Sequence, residues 1–159
     1  MANDATETAW RLHGLLIDWI AKADGKAGQA LLVQSAVLGA LGIFGSPTAT
    51  RSGPSSILVP VGAALLVTAA ACSALAIAPI LRSKKAARTG DEIAYFGHLR
   101  SRTREQLERD LLESDLLPML SGQLIVLSDI AWSKFRWVRR SLLLGIAGAV
   151  VLVAAAVVG

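Results

Sequence analysis

Apolar residues along this chain fall into three long blocks, and the polar residues between them form one short and one long connection. Residues 27–46, 57–81 and 142–159 contain no charged side chain. A helix rises about 1.5 Å per residue, so blocks of this length match the roughly 30 Å of hydrocarbon in a bilayer. The pattern predicts an all-α integral membrane protein with three transmembrane helices at these positions.

Residues 1–26 precede the first block and are predicted to form an amphipathic helix. Leu12, Leu16, Trp19 and Ala23 recur at spacings of three and four residues, which is the period of one helix face. The remaining face carries both signs of charge, whereas helices that lie on a bilayer surface are rich in Lys and Arg. We therefore expect this stripe to pack on other helices.

Small residues within the first two blocks predict close contacts between helices. Lipid provides no hydrophobic force between helices, so they associate where small side chains let their backbones approach. The small residues are Gly39, Ala40, Gly42, Gly45, Ala63, Ala64, Ala69, Ala70, Ala71 and Ala74. Cys72, the single cysteine, is predicted to be a small packing residue of the same kind.

Most of the charge lies in the long connection, residues 82–140. It holds 12 of the 16 Lys and Arg residues and 8 of the 12 acidic ones, whereas residues 47–56 hold a single basic residue. Because cytoplasmic connections are enriched in Lys and Arg, residues 1–26 and 82–140 are predicted to be cytoplasmic and the C-terminus to lie outside. Basic residues beside apolar spans meet lipid headgroups, so the net charge of +4 does not indicate nucleic-acid binding.

The long connection is predicted to be a cytoplasmic helical unit between spans two and three. Residues 83–92 suggest a basic linker, and residues 103–115 suggest a helix. Leucines then alternate at spacings of three and four, as in a coiled coil, and Ala131 and Val138 extend this seam with Lys134 intervening. The leucines of the seam are Leu117, Leu120, Leu124 and Leu127. No breaker follows, so one continuous helix is expected to mediate oligomer contacts and couple this unit to the third span.

Residues that could carry catalysis are scarce. The chain has no phosphate-binding or dinucleotide-binding glycine motif, no Ser/His/Asp set at a known spacing and no cluster of metal ligands. His13 and His98 stand alone, and a catalytic histidine needs positioned partners. The sequence therefore predicts no catalytic residue, no metal site and no enzymatic activity.

Two places combine charged or aromatic residues close to the predicted spans. Asp24 and Lys26 lie at the mouth of the first span, and Tyr95 and Phe96 lie among arginines. A cation pairs with a phosphate and an aromatic face stacks a base, so Lys26, Tyr95 and Phe96 are candidate ligand-binding residues, and Asp24 is a further candidate if it orients Lys26. In the plainer interpretation Lys26 marks the membrane boundary, Asp24 caps the helix of the first span, and the aromatic residues fill a core.

Three motifs keep a fixed order relative to the spans. They are Trp19-Ile20-x-x-Ala23-Asp24-x-Lys26-Ala27 before the first span, Tyr95-Phe96-Gly97 after the second, and Gln123…Ser128…Ala131…Lys134-Phe135…Arg139 before the third. This ordered set resembles the membrane-spanning effectors of Pycsar anti-phage defence. The resemblance covers nearly the whole chain, from about residue 12 onward.

The resemblance implies a bacterial inner-membrane protein that is paired with a nucleotide cyclase. In that family, phage infection makes the cyclase produce a cyclic pyrimidine mononucleotide, here cyclic UMP or cyclic CMP, and the effector then impairs the membrane and aborts infection. No other cofactor is implied. Three small spans cannot enclose a conducting path alone, so a homo-oligomer is expected. The alternative function is a passive membrane anchor or assembly scaffold for a partner protein, and a membrane enzyme is the class that the sequence favours least.

Overall fold

The protein is built from long helices. The computed structural model describes residues 2–44, 53–79, 103–113 and 116–158, of which 96% are helical and none lies in a strand. The helices are α1 (Ala2–Phe44), α2 (Ser55–Ile77), α3 (Arg104–Glu113) and α4 (Leu116–Val158). For these residues the predicted all-α class is confirmed. Three of these helices, α1, α2 and α4, are each long and apolar enough to cross a membrane, in agreement with the three predicted spans.

The helices differ in how their lengths compare with the thickness of a membrane. The 23 residues of α2 rise about 35 Å, which one bilayer accommodates. The 43 residues of α1 and of α4 rise about 65 Å each, roughly twice the hydrocarbon thickness. The amphipathic helix predicted for residues 1–26 and the first span therefore form one unbroken helix. The continuous helix predicted from Leu117 into the third span is also confirmed.

Local sequence explains where the shorter helices begin and end. At the start of α3, the Gln106 amide N–H donates to Thr103 Oγ1 at 3.3 Å, and the Thr103 N–H donates to Gln106 Oε1 at 3.0 Å, which is a capping box. At the end of α2, Ala78 has ψ 134° because it precedes Pro79, and the helix stops at Ile77. The predicted end of the second span at Leu81 lies outside the described residues, as do the linker at 83–92 and Tyr95, Phe96 and His98.

The chain divides into two compact units, and the first comprises residues 1–20 and 79–131. It buries Ala9, Met119 and Leu120. The stripe predicted for the N-terminal helix is wrong in part, because Leu12 and Trp19 are 47% and 52% exposed. Apolar side chains surround this part of α1, so spacing alone did not single out the buried face. The buried and half-buried positions are Thr6, Ala9, His13, Leu16 and Ile20.

The second unit, residues 21–78 and 132–159, is a bundle of three helix segments. Lys134, Ser141 and Gly148 follow one another along α4, and their α2 neighbours, Ala76, Ser73 and Gly62, run in the opposite direction. The α1 neighbours Asp24 and Gln34 run in the same direction as α4. α1 and α4 are therefore parallel and α2 is antiparallel to both, as expected of three successive spans joined by connections on alternate sides.

Large apolar side chains lie on the outside of this bundle and small ones lie inside. Leu32, Val67, Leu143 and Val150 are exposed, whereas the buried residues include Ala27, Ala69, Ser73 and Ala155. This is the arrangement that a lipid environment favours, because close packing rather than water exclusion holds helices together there.

The small-residue prediction is right for some positions and wrong for others. Ala69 and Cys72 are buried, but Ala64, Ala71 and Ala74 are exposed. A Cβ atom added at Gly39 or Gly42 would meet nothing within 4 Å, so these glycines make no close helix contact with the residues that the structure describes. The close approach occurs instead between Gly62 of α2 and Gly148 of α4.

Candidate functional site

A lysine joins all three helices of the bundle at one end. The Lys134 Nζ of α4 donates to a carboxylate oxygen of Asp24 on α1, and to the backbone carbonyl oxygen of Ala76 on α2 at 3.0 Å. The last carbonyl groups of a helix lack partners within the helix and form the negative end of its dipole, so an ammonium group is a suitable cap there. We call Lys134, Asp24 and the Ala76 carbonyl the lysine clamp.

The two charges of the clamp differ in their access to solvent. The Lys134 side chain is 7% exposed, whereas the Asp24 side chain is 37% exposed. A buried ammonium group that loses its counter-ion keeps an uncompensated charge, but a half-exposed carboxylate can be hydrated instead. Lys134 therefore depends on an anion at this position more than Asp24 depends on Lys134.

Small apolar residues pack beside the clamp. Ala23, Ala27, Ala76 and Val138 form one buried cluster, and the partly buried Trp137 packs against it. The guanidinium carbon of Arg140 lies 5.0 Å from the centroid of the Trp137 ring, a cation–π contact. Trp beside Arg is typical of the boundary between hydrocarbon and water, which agrees with the absence of charge in α4 after Arg140.

A second polar layer lies two helical turns further along α4. Gln34 of α1 donates from Nε2 to Ser141 Oγ of α4 at 2.9 Å, and Ser73 Oγ of α2 donates to Gln34 Oε1 at 3.3 Å. The two serine hydroxyl oxygens are 2.6 Å apart. We call Gln34, Ser73 and Ser141 the polar ring.

The hydrogen bonds of the polar ring run in one direction. A hydroxyl has a single proton, and that of Ser73 is donated to Gln34, so the proton between the serines must come from Ser141. Each of the three side chains then donates to one neighbour and accepts from another. All three residues are buried, with Gln34 4% exposed and both serines fully buried. The ring therefore satisfies side chains that would be costly to leave unpaired in an apolar bundle.

Glycines provide the space that this packing needs. A Cβ atom at Gly145 would lie 3.1 Å from Gln34 Nε2. Further along the bundle, a Cβ atom at Gly148 would lie 3.0 Å from the Gly62 carbonyl oxygen, and one at Gly62 would lie 2.7 Å from Leu152 Cγ. α2 and α4 thus touch through backbone atoms, a contact that only glycine permits.

Comparison with known proteins decides the family. The family model described as the Pycsar effector protein domain matches residues 8–159, nearly the whole chain. This chain belongs to the Pycsar effector family. It is a membrane protein and an effector of bacterial anti-phage defence, as the resemblance found in the sequence implied. No curated protein and no solved structure matches the chain.

The structure places two of the four candidate ligand residues of this Pycsar effector. Asp24 lies in the lysine clamp, and Lys26 is exposed on α1. Two residues along a helix differ by about 200° in direction, so Asp24 and Lys26 point to opposite sides and Asp24 does not orient Lys26. The interpretation of Asp24 as a helix cap is wrong, because α1 is unbroken from Ala2 to Phe44. Tyr95 and Phe96 lie outside the described residues, so their role stays a prediction.

The predicted coupling seam of the effector lies on the covered face of α4. Leu120 is fully buried, and Leu117, Leu124 and Leu127 are half-buried. The same spacing continues far beyond Val138, to the end of the helix. The positions that continue it are Ala131, Lys134, Val138, Ser141, Gly145, Gly148, Leu152 and Ala155, none of which is exposed.

Sequence reasoning missed the role of Lys134 in the lysine clamp. It also missed the polar ring of Gln34, Ser73 and Ser141. A signal was present for α4, because Lys134 and Ser141 lie seven and fourteen residues after Leu127, at the same position of the heptad. A lysine at a position otherwise reserved for buried residues requires a partner. The identity of that partner could not be predicted, since Asp24 lies 110 residues away along the chain.

Proposed function

We propose that this Pycsar effector is triggered by a cyclic pyrimidine nucleotide, cyclic UMP or cyclic CMP, and then impairs the bacterial inner membrane so that infection aborts. In this proposal the nucleotide comes from a cognate cyclase and the effector acts as a homo-oligomer without enzymatic activity. Residues 1–26 and 82–140 face the cytoplasm, where the nucleotide is made, and the C-terminus lies outside.

The observation that supports this proposal most is the close packing of the three helices in the bundle. Its helices touch through Gly62, Gly148 and small side chains, which leaves no room between them for a hydrated ion. A path through the bundle itself therefore requires its helices to rearrange. The lysine clamp and the polar ring each contain one group from every helix, so they join the three helices in the closed bundle. A ligand that binds the rearranged bundle more tightly than the closed one would shift the equilibrium toward rearrangement, by its difference in affinity for the two states.

The proposed ligand site combines a cation with an aromatic face. A cyclic mononucleotide carries one phosphate negative charge and one planar base. Lys26 or a neighbouring cation would pair with the phosphate, and Tyr95 or Phe96 would stack the base. Lys26 is exposed and so is accessible to a ligand.

Homo-oligomerisation is proposed because the three described spans of one chain pack against one another and enclose no path across the membrane. The exposed apolar side chains of the bundle, such as Leu32 and Leu143, suit contact with lipid or with another copy. Large apolar residues outside the bundle, Trp10 and Ile17 among them, are also exposed in the single chain.

The test is release of a trapped dye from vesicles that contain the purified effector. We expect release on addition of cyclic UMP or cyclic CMP but not of uridine, and loss of membrane potential in cells that receive the same nucleotide. Phe96→Ala should weaken the response about ten- to a hundredfold, because stacking of one base is worth roughly 1–3 kcal/mol. Dye retention with every cyclic nucleotide would refute the proposed trigger and favour the passive anchor or scaffold.

A further inference from the structure

The lysine clamp contains a buried cation whose counter-ion can be replaced. Of the two acceptors that hold the Lys134 ammonium group, the Ala76 carbonyl is part of the backbone of α2, and the Asp24 carboxylate is a half-exposed side chain of α1. We propose that Lys134 is a phosphate-binding cation that Asp24 occupies at rest, and that the phosphate of an incoming ligand takes the place of the Asp24 carboxylate. This inference rests on the proposed function and assigns the cation of its ligand site.

The exchange is chemically balanced. A carboxylate and the phosphate of a cyclic nucleotide are both oxyanions with one negative charge, and both accept charge-assisted hydrogen bonds from an ammonium group. A lysine acts as a compact point charge without a fixed bidentate geometry, so it accommodates either anion. The charge of the buried Lys134 thus stays compensated throughout, while Asp24 moves into solvent that it already contacts.

The exchange also changes which helices are joined. Asp24 is the link from α1 to Lys134, whereas the Ala76 carbonyl links α2 to Lys134. When a phosphate replaces Asp24, the clamp no longer joins α1 to α4, although Gln34 of the polar ring still does, and the α2–α4 contact remains. The neighbouring cluster offers little resistance, because the α1 residues in it are Ala23 and Ala27, which bury little apolar surface. Binding would in this way bias the bundle toward a rearranged state.

A phosphate could reach Lys134 from two sources, a soluble cyclic nucleotide or an anionic lipid headgroup. The shared chemistry is a phosphate group with one negative charge. The Trp137–Arg140 pair on the same helix is typical of the level of headgroups, so the lipid source needs its own arm in the experiment.

The first arm measures binding of cyclic UMP and cyclic CMP to the effector in detergent, in chloride buffer, with uridine as the ligand that lacks a phosphate. Lys134→Met should abolish binding, and Lys134→Arg should retain it. Asp24→Asn should bind at least about ten times more tightly than the wild type, because removal of a competing group removes the population cost of displacing it. Arg136→Met is the matched control, since Arg136 is an exposed cation two residues further along α4, and it should bind as the wild type does.

The gain of affinity in Asp24→Asn is the decisive result, because loss of structure cannot produce it. Thermal unfolding of each variant with and without nucleotide provides a second reading, since a ligand that binds the folded state raises its melting temperature. Unchanged or weaker binding in Asp24→Asn would overturn the inference. Loss of binding in Lys26→Ala with full binding in Lys134→Met would also overturn it, while the proposed function would stand.

The second arm reconstitutes the effector in nanodiscs of phosphatidylcholine with or without phosphatidylglycerol. If the wild type binds neither nucleotide, the proposed trigger fails. A rise in melting temperature with phosphatidylglycerol that Lys134→Met removes and Asp24→Asn enlarges would then support the inference with lipid as the source of the phosphate. Absence of both nucleotide binding and this lipid effect would overturn it.

Discussion

The two parts of α4 bury opposite kinds of side chain although they share one heptad pattern. Residues 116–131 bury Met119 and Leu120, and their only exposed large apolar residue is Ile125. Residues 132–158 bury Lys134, Ser141, Gly148 and Ala155, with Val138 as the one larger apolar residue among them, and expose large apolar residues along the rest of the helix. The large exposed residues are Trp132, Phe135, Leu142, Leu143, Ile146, Val150, Val153, Val157 and Val158.

This inversion shows that the spacing of buried positions and the chemistry of buried residues have separate causes. The heptad spacing follows from helix geometry and holds wherever helices pack side by side. In water, burial of a leucine contributes about 1.5–3 kcal/mol, so large apolar residues occupy the seam. In lipid that gain disappears, and small or hydrogen-bonding residues that permit close contact occupy it instead.

The largest expected effect is a charge at the buried leucine of the first part of α4. Leu120→Asp places a carboxylate where the side chain is fully buried. We expect a loss of about 4 kcal/mol in the free energy of unfolding in mild detergent, because a buried unpaired charge is among the costliest substitutions. Ile125→Asp, on the same helix at a position that is 65% exposed, is the control and should change stability little. Equal behaviour of the two variants would show that Leu120 is not a packed contact.

A somewhat smaller effect is expected where small residues permit contact between backbones. Gly148→Leu would drive a side chain into the Gly62 carbonyl and Leu66. The cost should be about 3 kcal/mol, at the upper end for overpacking, since a backbone cannot move aside as a side chain can. Gly42→Leu, at a glycine with open space around it, should be tolerated in the same assay of unfolding. A tolerated Gly148→Leu would mean that α2 and α4 do not touch there.

The sequence predicts the helices of this effector well and their buried faces less well. α2 and the unbroken α4 follow from long apolar blocks and from the absence of breakers. The predicted seam ends at Val138 because the next heptad positions hold small residues rather than large apolar ones. Ser141, Gly148 and Ala155 continue it with small ones. The stripe through Leu12 and Trp19 failed for a related reason, since apolar residues surround α1 on several sides.

The polar contacts were beyond sequence reasoning because they join residues that are distant in the chain. Gln34, Ser73 and Ser141 are unremarkable polar residues within apolar blocks until the helices meet. Asp24 has two nearby explanations, a helix cap and a partner for Lys26, and the continuous helix excludes both. Only the packing of three helices brings it to Lys134.

Removal of each of the two charges of the lysine clamp should lower the free energy of unfolding by a different amount. In chloride buffer, Asp24→Asn leaves the buried ammonium group with neutral acceptors only and should cost about 2–3 kcal/mol, below the range for a fully buried pair because Asp24 is half-exposed. Lys134→Met leaves a carboxylate that water can hydrate and should cost about 1 kcal/mol. The double variant should recover most of the loss, as a double-mutant cycle in detergent would measure.

Charge reversal provides the control for this comparison. Asp24→Lys combined with Lys134→Asp restores opposite charges, but it places a carboxylate against the Ala76 carbonyl oxygen, which can only accept hydrogen bonds. We therefore expect no recovery. Full recovery would mean that attraction between the two side chains, rather than capping of α2, is what Lys134 contributes.

The smallest effect is expected at the polar ring, although all three of its residues are buried. Gln34→Leu keeps a similar side-chain volume and removes the links from α1 to Ser73 and Ser141. The serine hydroxyls remain 2.6 Å apart and can also bond to carbonyl groups of their own helices, so neither is left unpaired. The cost should therefore be near the average for hydrogen bonds between membrane helices, about 0.6 kcal/mol, and below roughly 1.7 kcal/mol. Ser35→Ala, at an exposed position on α1, is the control. A loss of several kcal/mol in Gln34→Leu would show that hydrogen bonding rather than close packing holds this part of the bundle together.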